Sequence, residues 1–501
     1  MLNEIIKQTQ LFLSKISKDD RKKKGQFFTS KETAEYMASL FDLDKFSQTI
    51  SILDPGAGTG ILTAAFIERV NNNRIIKKIN ITCYETDEMV LPILKKNLEY
   101  IKMNCNILVD YIIIEDDYLL SQVSDFQGNN QLNIATKKYD AIIGNPPYLR
   151  VLKNYPAAVA MPSVVHGAPN LYFLFASMSL FNLMDNGQMI YIIPRSWTSG
   201  AYFRAFREYF LTQGKLEHMH LFISRDKVFD QENVLQETMI IKMKKTYKKP
   251  QKIIISSTNS CSDFNDIKRI EVKYDDIVFG KELYVLLPTS EEEIDIIRSI
   301  NKYSNTLPDV GIRMRTGIVV DFRQRKELRE KVGEDVVPLF YSQHIKNGIV
   351  NHNPSGKKYD WISITKKNLL QKNKNYVFCK RFTAKEEKRR LQCGIYFSLN
   401  FLEYKFIGTQ NKINYVDKVD GSEMSIHEIY GVYALLNSTI FDMYYRILNG
   451  STQVNSTEVN NIPVPPIDLI VKIGQKICES NDLSTSNCDK VLSEVAYGKI
   501  G

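Results

Sequence analysis

The sequence predicts an α/β fold: a mostly parallel sheet of seven strands, followed by a second region of mixed α+β character. Three observations carry that reading. Between residues 50 and 245, short β-branched runs alternate with amphipathic helical stretches, the pattern of strands joined by helical crossovers. A glycine-rich turn follows the first of those runs directly, and such sheets bind ligands beyond the carboxyl ends of their strands. The regularity stops near Pro250, after which polar, aromatic and basic residues interleave.

Taken in order, Leu2, Ile5, Ile6, Phe12, Leu13 and Ile16 recur at helical spacing and predict an amphipathic helix within residues 1–24. A basic run, Arg21 to Lys24, leads into Gly25-Gln26-Phe27-Phe28-Thr29, and Thr29-x-x-Glu32 reads as the capping box of a second helix. Strands are expected at Ile50–Leu53, Ile79–Tyr84, Ile107–Ile114, Tyr139–Ile143, Gln188–Ile193, Leu216–Ile223 and Gln236–Met243. Helices between them include Thr59–Val70 and Asp87–Ile101. The lysine-rich run from Lys242 to Lys249, closed by Pro250, reads as a boundary, giving a catalytic domain at 25–250 and a second domain at 251–501.

At 501 residues the chain has room for two to four domains of roughly 100–200 residues each. Its 44% hydrophobic and 25% charged residues exclude wholesale disorder. The net charge of +9 is not gathered into a basic tail, so it acts through folded patches. Met1-Leu2-Asn3-Glu4 lacks the cationic and apolar regions of a secretion signal, so none is expected. The most apolar stretch, Leu171 to Met184, is interrupted by Ser177, Ser179 and Asn182 and is too short to span a bilayer. Seven scattered cysteines form no CxxC pair, and the close histidines of His218-Met219-His220 more often share one strand face than bind an ion. A cytoplasmic protein without membrane association or bound metal is expected.

Three strand ends carry acids suited to one ligand. Ser51-Ile-Leu-Asp54-Pro-Gly56-Ala-Gly58-Thr-Gly60 spaces its glycines differently from GxGxxG and has no Walker lysine, so a pyrophosphate is disfavoured. Asp54 suits a cationic or hydroxyl-bearing ligand. One strand–helix–strand unit later, Glu85 in Tyr84-Glu-Thr-Asp87 can accept both hydroxyls of a ribose, with Asp87 as a helix cap. At Glu115-Asp116-Asp117-Tyr118, an acid can accept from an adenine amino group and Tyr118 can cover its ring. Together these residues outline a nucleoside-shaped slot.

The sharpest signal is Asp140-Ala-Ile-Ile-Gly-Asn145-Pro146-Pro147-Tyr148. Two prolines after an apolar strand stiffen the turn, and Pro146 offers a carbonyl without a competing N–H. The Asn145 side-chain oxygen and the Pro146 carbonyl can both accept from one amino group. An aromatic amine delocalises its lone pair into the ring and is a poor nucleophile; two acceptors on its hydrogens pull the nitrogen towards sp³ geometry and restore the lone pair. Tyr148 offers the same ring a stacking face.

With Asp54-Pro-Gly-Ala-Gly-Thr-Gly60 followed by Asn145-Pro-Pro-Tyr148, the chain resembles the amino-group DNA methyltransferases that use S-adenosyl-L-methionine. The Gln26-Phe-Phe-Thr29 segment upstream and the large region downstream match the gamma-class order of N6-adenine enzymes. The resemblance covers roughly residues 20–245 and implies a Rossmann-like catalytic domain with a target-recognition domain after it. It further implies that Thr29 contacts the methionine part of the cofactor, Glu85 the ribose, and Asp117 with Tyr118 the adenine. Phe229, in Asp226-Lys-Val-Phe-Asp-Gln-Glu-Asn-Val234, matches the aromatic residue that stacks the flipped base. Ser30 departs from the proline common at that place.

Such an enzyme must extrude its adenine from duplex DNA. Arg195-Ser-Trp197 either borders the cleft or belongs to the core. In the second region, Gly311-Ile-Arg313-Met-Arg315-Thr-Gly317 puts arginines on one strand face, while Lys380-Arg381-Phe382 and Lys385 to Arg390 join cations to aromatics. Gly431 to Ser438, Gly450 to Asn455 and Ile462 to Pro466 resemble the C-terminal parts of specificity domains. Length and layout resemble the PstI/BsuBI-like modification enzymes of type II restriction–modification systems, which implies CTGCAG as target, double-stranded DNA as partner, a cognate endonuclease as genetic partner and a monomeric enzyme. Two other functions share these motifs: methylation of a protein glutamine, and a non-catalytic DNA-binding subunit that keeps the fold.

Overall fold

The computed structural model describes residues 1–16, 28–129, 137–223, 237–261, 263–384, 386–448 and 453–497. The chain forms two compact units, Met1–Thr289 and Ser290–Gly501.

The first unit is built on a sheet whose strands are β1 (Thr49–Pro55), β2 (Lys78–Tyr84), β3 (Leu108–Ile114), β4 (Tyr139–Gly144), β5 (Leu183–Pro194), β6 (Lys215–Phe222), β7 (Thr238–Lys244), β8 (Lys252–Thr258) and β9 (Lys268–Lys273). Their order across the sheet is β3-β2-β1-β4-β5-β7-β6-β8-β9. Neighbours from β3 to β5 run parallel, β7 runs antiparallel between β5 and β6, and β8 is parallel to β6. The seven expected strands are all present. Their central members are covered on both faces, which is why they read as unbroken apolar runs: Ile50, Ile52, Leu53, Ala141, Ile142, Ile143 and Ile190 are fully buried.

The sheet continues past the boundary expected at Pro250. The lysine run before it is no linker, because Lys242 lies inside β7 with its ammonium 2.6 Å from Asp42. Beyond Pro250, Ile253 and Ile255 are buried while Ile254 is exposed, the period of a half-covered strand. His218 and His220 share one face of β6, where both rings bond the Ser256 hydroxyl of β8 at 2.7 and 2.9 Å.

Helix α1 (Leu2–Leu13) buries Leu2, Ile5, Thr9 and Phe12, and its Thr9 hydroxyl lies 2.8 Å from that of Thr59 in the glycine turn. Helix α2 (Lys31–Ser39) starts one residue later than the capping box required: Ser30 is its N-cap, accepting from the Thr33 N–H at 3.2 Å. Helices α3 (Ile61–Val70), α4 (Leu91–Asn104) and α5 (Tyr118–Ser121) follow β1, β2 and β3, and α6 (Leu171–Asn182) precedes β5. Asp87 bonds the Met89 N–H in the turn before α4 without being the helix N-cap.

The second unit is mixed α+β. Among its described residues, one six-stranded sheet contains β10 (Ile312–Thr316), β11 (Tyr376–Lys380), β12 (Cys393–Tyr396) and β13 (Ile413–Lys418), and a five-stranded sheet lies in the same unit. Two apolar clusters fill this unit, one around Phe340, Phe378 and Tyr396 with residues of both sheets, the other around Leu339, Tyr341 and Ile362. Helices α7 (Ile426–Asn437) and α8 (Ile467–Ser480) cross at two glycines; a Cβ on Gly431 would lie 2.0 Å from the Ile470 carbonyl oxygen. No described helix is long and apolar enough to cross a membrane.

Candidate active site

Parallel strands deliver their carboxyl ends to one edge, and that edge holds a cavity of about 440 Å³. The glycine turn forms one wall. Gly56, Gly58 and Gly60 have φ of +88°, +55° and +85°, the left-handed region that a side chain disfavours. A Cβ on Gly58 would sit 3.6 Å from the Phe28 ring, so the bare backbone and that ring together shape the wall.

The three strand-end acids take different roles. Asp54 is buried, and its Oδ2 accepts from the Thr63 hydroxyl at 2.7 Å. Its Oδ1 has no hydrogen-bond partner among the described residues. Burial pushes its carboxyl up to about 7, the Thr63 bond opposing and the negative charge of Glu85 reinforcing that rise. Asp54 lies behind the turn, while Glu85 lines the cavity itself. Glu85 accepts backbone N–H bonds from Gly58 at 2.9 Å and from Thr86 and Asp87 at 2.9 and 2.8 Å, so its carboxylate ties β2 to the glycine turn. Burial also raises its pKa, against the lowering effect of those bonds.

Asp117 lines the cavity and caps α5, accepting from the Leu120 N–H at 3.0 Å. Tyr118 lines it too, as a fixed piece of wall: its hydroxyl donates to Asn182 at 2.9 Å and its ring meets Tyr84 edge-on at 5.0 Å. Burial holds that hydroxyl well above the usual tyrosine pKa.

At the end of β4, Asn145 and Pro147 reach the cavity wall. The Asn145 amide nitrogen donates to the Thr29 hydroxyl at 3.2 Å, which commits that end of the amide and leaves the acceptor role to the oxygen. This is where the one-residue shift of α2 matters: with Ser30 capping, Thr29 faces Asn145. Pro146 and Tyr148 are buried and do not form part of that wall. The Tyr148 hydroxyl donates to the Ile192 carbonyl at 2.9 Å, and its ring stands perpendicular to Tyr172 at 6.4 Å. Phe229 and the segment Asp226–Val234 lie outside the described residues, as do Gln26 and Phe27.

Several wall residues escaped the sequence reading. Leu171 and Phe175 come from the apolar stretch weighed only against a membrane span. The available signal was Asn170, which caps α6 through the Tyr172 N–H and so fixes the helix start beside the site. Trp197 resolves as core, fully buried against Phe206 and Phe210. In the second unit, Arg313 and Arg315 do share a face, with Asp417 of β13 3.6 and 3.4 Å from their Nε atoms. Arg389 and Arg390 turn inward; Arg390 is 1% exposed and Arg389 donates to the Ser438 carbonyl at 3.0 Å. Among the described residues no group of His, Cys, Asp and Glu has the geometry to hold a metal.

The strand order and the cavity beyond the carboxyl ends define a class: a Rossmann-like α/β domain with its ligand site at the carboxyl edge of a mostly parallel sheet, in a chain that carries a second α+β unit. Residues 9–229 match the family described as Eco57I restriction-modification methylase. The type II methyltransferase M.BsuBI of Bacillus subtilis is 34% identical over 99% of both chains. M.PstI of Providencia stuartii is 32% identical over 95% of this chain and 93% of its own length. The solved structure of the type IIL restriction-modification enzyme MmeI in complex with DNA covers 99% of this chain and 74% of that one, with a TM-score of 0.52 at 12% identity, a likeness of fold. The chain belongs to the family of type II modification methyltransferases that includes M.BsuBI and M.PstI.

Proposed function

We propose that the chain is a site-specific DNA methyltransferase of a type II restriction–modification system, moving a methyl group from S-adenosyl-L-methionine to the N6 of an adenine flipped out of duplex DNA. The observation that carries the reading is the Asn145–Thr29 bond at the cavity edge, which orients a carboxamide oxygen as an acceptor for an amino group.

The cavity's chemistry fits the cofactor. Its wall combines carboxylates with the apolar surfaces of Phe28, Leu171 and Phe175, and behind it the buried Asp54 Oδ1 has no donor among the described residues. That set suits a ligand with a purine, vicinal hydroxyls and an ammonium group. When bound, the cofactor supplies a methyl on a sulfonium, an electrophile that needs no metal.

The chain's own part is positioning and electrostatics. Glu85 accepts from ribose hydroxyls, Asp117 from an adenine amino group, and Tyr118 backs the ring; Thr29 contacts the methionine part. The Asn145 oxygen and the Pro146 carbonyl accept the target's amino hydrogens and raise its nucleophilicity. Pro147 stiffens the corner, and Tyr148, fixed by Ile192, supplies a ring for the flipped base, with Phe229 as a second aromatic partner. The methylated ammonium product is acidic enough to lose its proton without a side-chain base. The second unit reads the DNA sequence, the enzyme acts as a cytoplasmic monomer, and a cognate endonuclease is its genetic partner.

Sequencing DNA from a host expressing this gene, with detection of modified bases, tests the proposal. N6-methyladenine at one short motif is expected, with CTGCAG as the first candidate. Modified cytosine, or no modified base together with methyl transfer to protein, refutes it.

A further inference from the structure

Two phenylalanines of the second unit stand exposed at one end of its six-stranded sheet. Phe322 is 69% exposed and Phe382 46%. They lie far apart in sequence, yet the topology brings their loops to the same edge. Strand β10 ends at Thr316, opposite Asn414 near the start of β13, and β11 ends at Lys380, opposite Ile413. The short connection before β13 joins both loops. Val319 pairs with Gln410 and its carbonyl accepts from the Asn411 N–H at 2.8 Å; the Arg381 N–H donates to the Lys412 carbonyl at 2.9 Å, and its guanidinium to the Asn411 carbonyl at 3.0 Å.

The Phe322 turn is ordered. The Arg323 and Gln324 N–H groups donate to the Val320 carbonyl at 2.9 and 3.1 Å, and the Gln324 side chain accepts from the Val320 N–H at 2.6 Å. Asp321 accepts from Gln410 at 3.3 Å, fastening the turn to the shared connection. A backbone tied this firmly holds a bare phenyl ring out in water, where it gains nothing for the fold.

The surroundings distinguish among partners. A protein-docking face is a contiguous apolar patch. Here each ring sits instead beside a guanidinium, Arg323 centred 5.4 Å from the Phe322 ring and Arg381 5.6 Å from the Phe382 ring, with Lys412 between the two loops. Rings each set beside a guanidinium, with the neighbouring Asp321 carboxylate taken up by Gln410, match stacked bases flanked by phosphates.

Resting on the DNA-methyltransferase reading, we infer that this sheet end is a duplex-DNA contact in which Phe322 inserts as a wedge between base pairs, with Arg323, Arg381 and Lys412 holding the flanking phosphates and Phe382 as a second stacking ring. Such apolar wedges kink the duplex by about 20–90°.

The test uses the full-length chain and an end-labelled duplex carrying the motif that the enzyme methylates, with affinity and end-to-end energy transfer as readouts. Wild type is expected to bind and kink the duplex. Phe322→Ala is expected to lose the kink and to bind about tenfold more weakly, equivalent to about 1.4 kcal/mol, at unchanged melting temperature and cofactor affinity, whereas Phe322→Trp retains both DNA properties. Phe382→Ala gives a smaller loss. A Phe322→Ala enzyme that binds and bends DNA as wild type does overturns the wedge while leaving the methyltransferase reading standing. A wild-type chain that neither binds nor methylates duplex DNA overturns both.

Discussion

The two units bring their functional side chains into play by opposite means. In the first, the parallel sheet does the placing: Asp54 sits at the end of β1, Glu85, Asp117 and Asn145 follow β2, β3 and β4, and the topology gathers them along one edge whatever the helices between them contain. In the second, strand ends are irregular, and the exposed cationic and aromatic residues sit on loops fixed by side-chain hydrogen bonds to neighbouring backbone and side chains. The first arrangement is a property of a fold and the second of a sequence.

If the division holds, damage in one unit leaves the other's task intact. Asn145→Ala should give the largest effect, lowering the rate of methyl transfer by about 10²–10³-fold or more, the scale set by losing one electrostatic contact at a reacting group. Cofactor affinity, by calorimetry, and duplex affinity, by anisotropy, should stay within about twofold of wild type. Activity that survives Asn145→Ala breaks the catalytic assignment.

Gly431→Ala is the corresponding lesion in the second unit. Its added methyl meets the Ile470 carbonyl oxygen at 2.0 Å, so α7 and α8 must separate. The expected cost is about 1–3 kcal/mol of that unit's stability. Denaturant unfolding followed by fluorescence should show an early transition for this unit and an unmoved one for the first. A single coincident shift would mean that the two units unfold together.

The same contrast explains what was legible in the sequence. The glycine turn, Glu85, Asp117, Asn145 and Pro147 could be placed at the cavity because each belongs to a short local pattern at a strand end, whereas Asp54, Pro146 and Tyr148 of the same patterns do not line its wall. Leu171 and Phe175 were not read as site residues, since which side of an apolar helix faces a cavity depends on packing. The boundary at Pro250 misled because a lysine-rich run resembles a linker until Lys242 is seen to find Asp42 from two hundred positions away. Arg389 and Arg390 looked like a surface cluster, and only tertiary partners such as the Ser438 carbonyl reveal them as inward-facing. No local pattern marked Phe322, whose meaning lies in its exposure.

A pH dependence sharpens the account of the first unit. Asp54 is raised from the ordinary aspartate value to about 7, chiefly by burial. A raised carboxyl favours the folded state when protonated, so its contribution is fully present below about pH 4 and is lost as pH climbs through about 7. Asn mimics the protonated form and can still accept from Thr63. Relative to wild type, Asp54→Asn should therefore gain stability as pH rises from about 4 to 8, on the order of 4 kcal/mol at the upper end. His218 and His220, lowered by burial to about 4 and about 3, act in the opposite sense: their stabilisation is present above the ordinary histidine range and fades on acidification. A difference curve for Asp54→Asn that is flat with pH would mean that Asp54 is ionised throughout.

The smallest expected effect separates two adjacent residues. Ser30 caps α2, and Thr29 meets Asn145, although the sequence pattern Thr29-x-x-Glu32 assigns the cap to Thr29. Ser30→Ala should cost about 1 kcal/mol of stability and leave the methylation rate nearly unchanged, because the chain can enter the helix uncapped while Thr29 keeps its place. Thr29→Val preserves shape and removes the oxygen that receives the Asn145 amide, so it should lower the rate at nearly constant melting temperature. Measuring melting temperature and initial rate for both variants gives a two-by-two outcome with opposite signatures. If the stability loss falls on Thr29 and the rate loss on Ser30, the helix begins a residue earlier than described, and the orientation of Asn145 must come from some other contact.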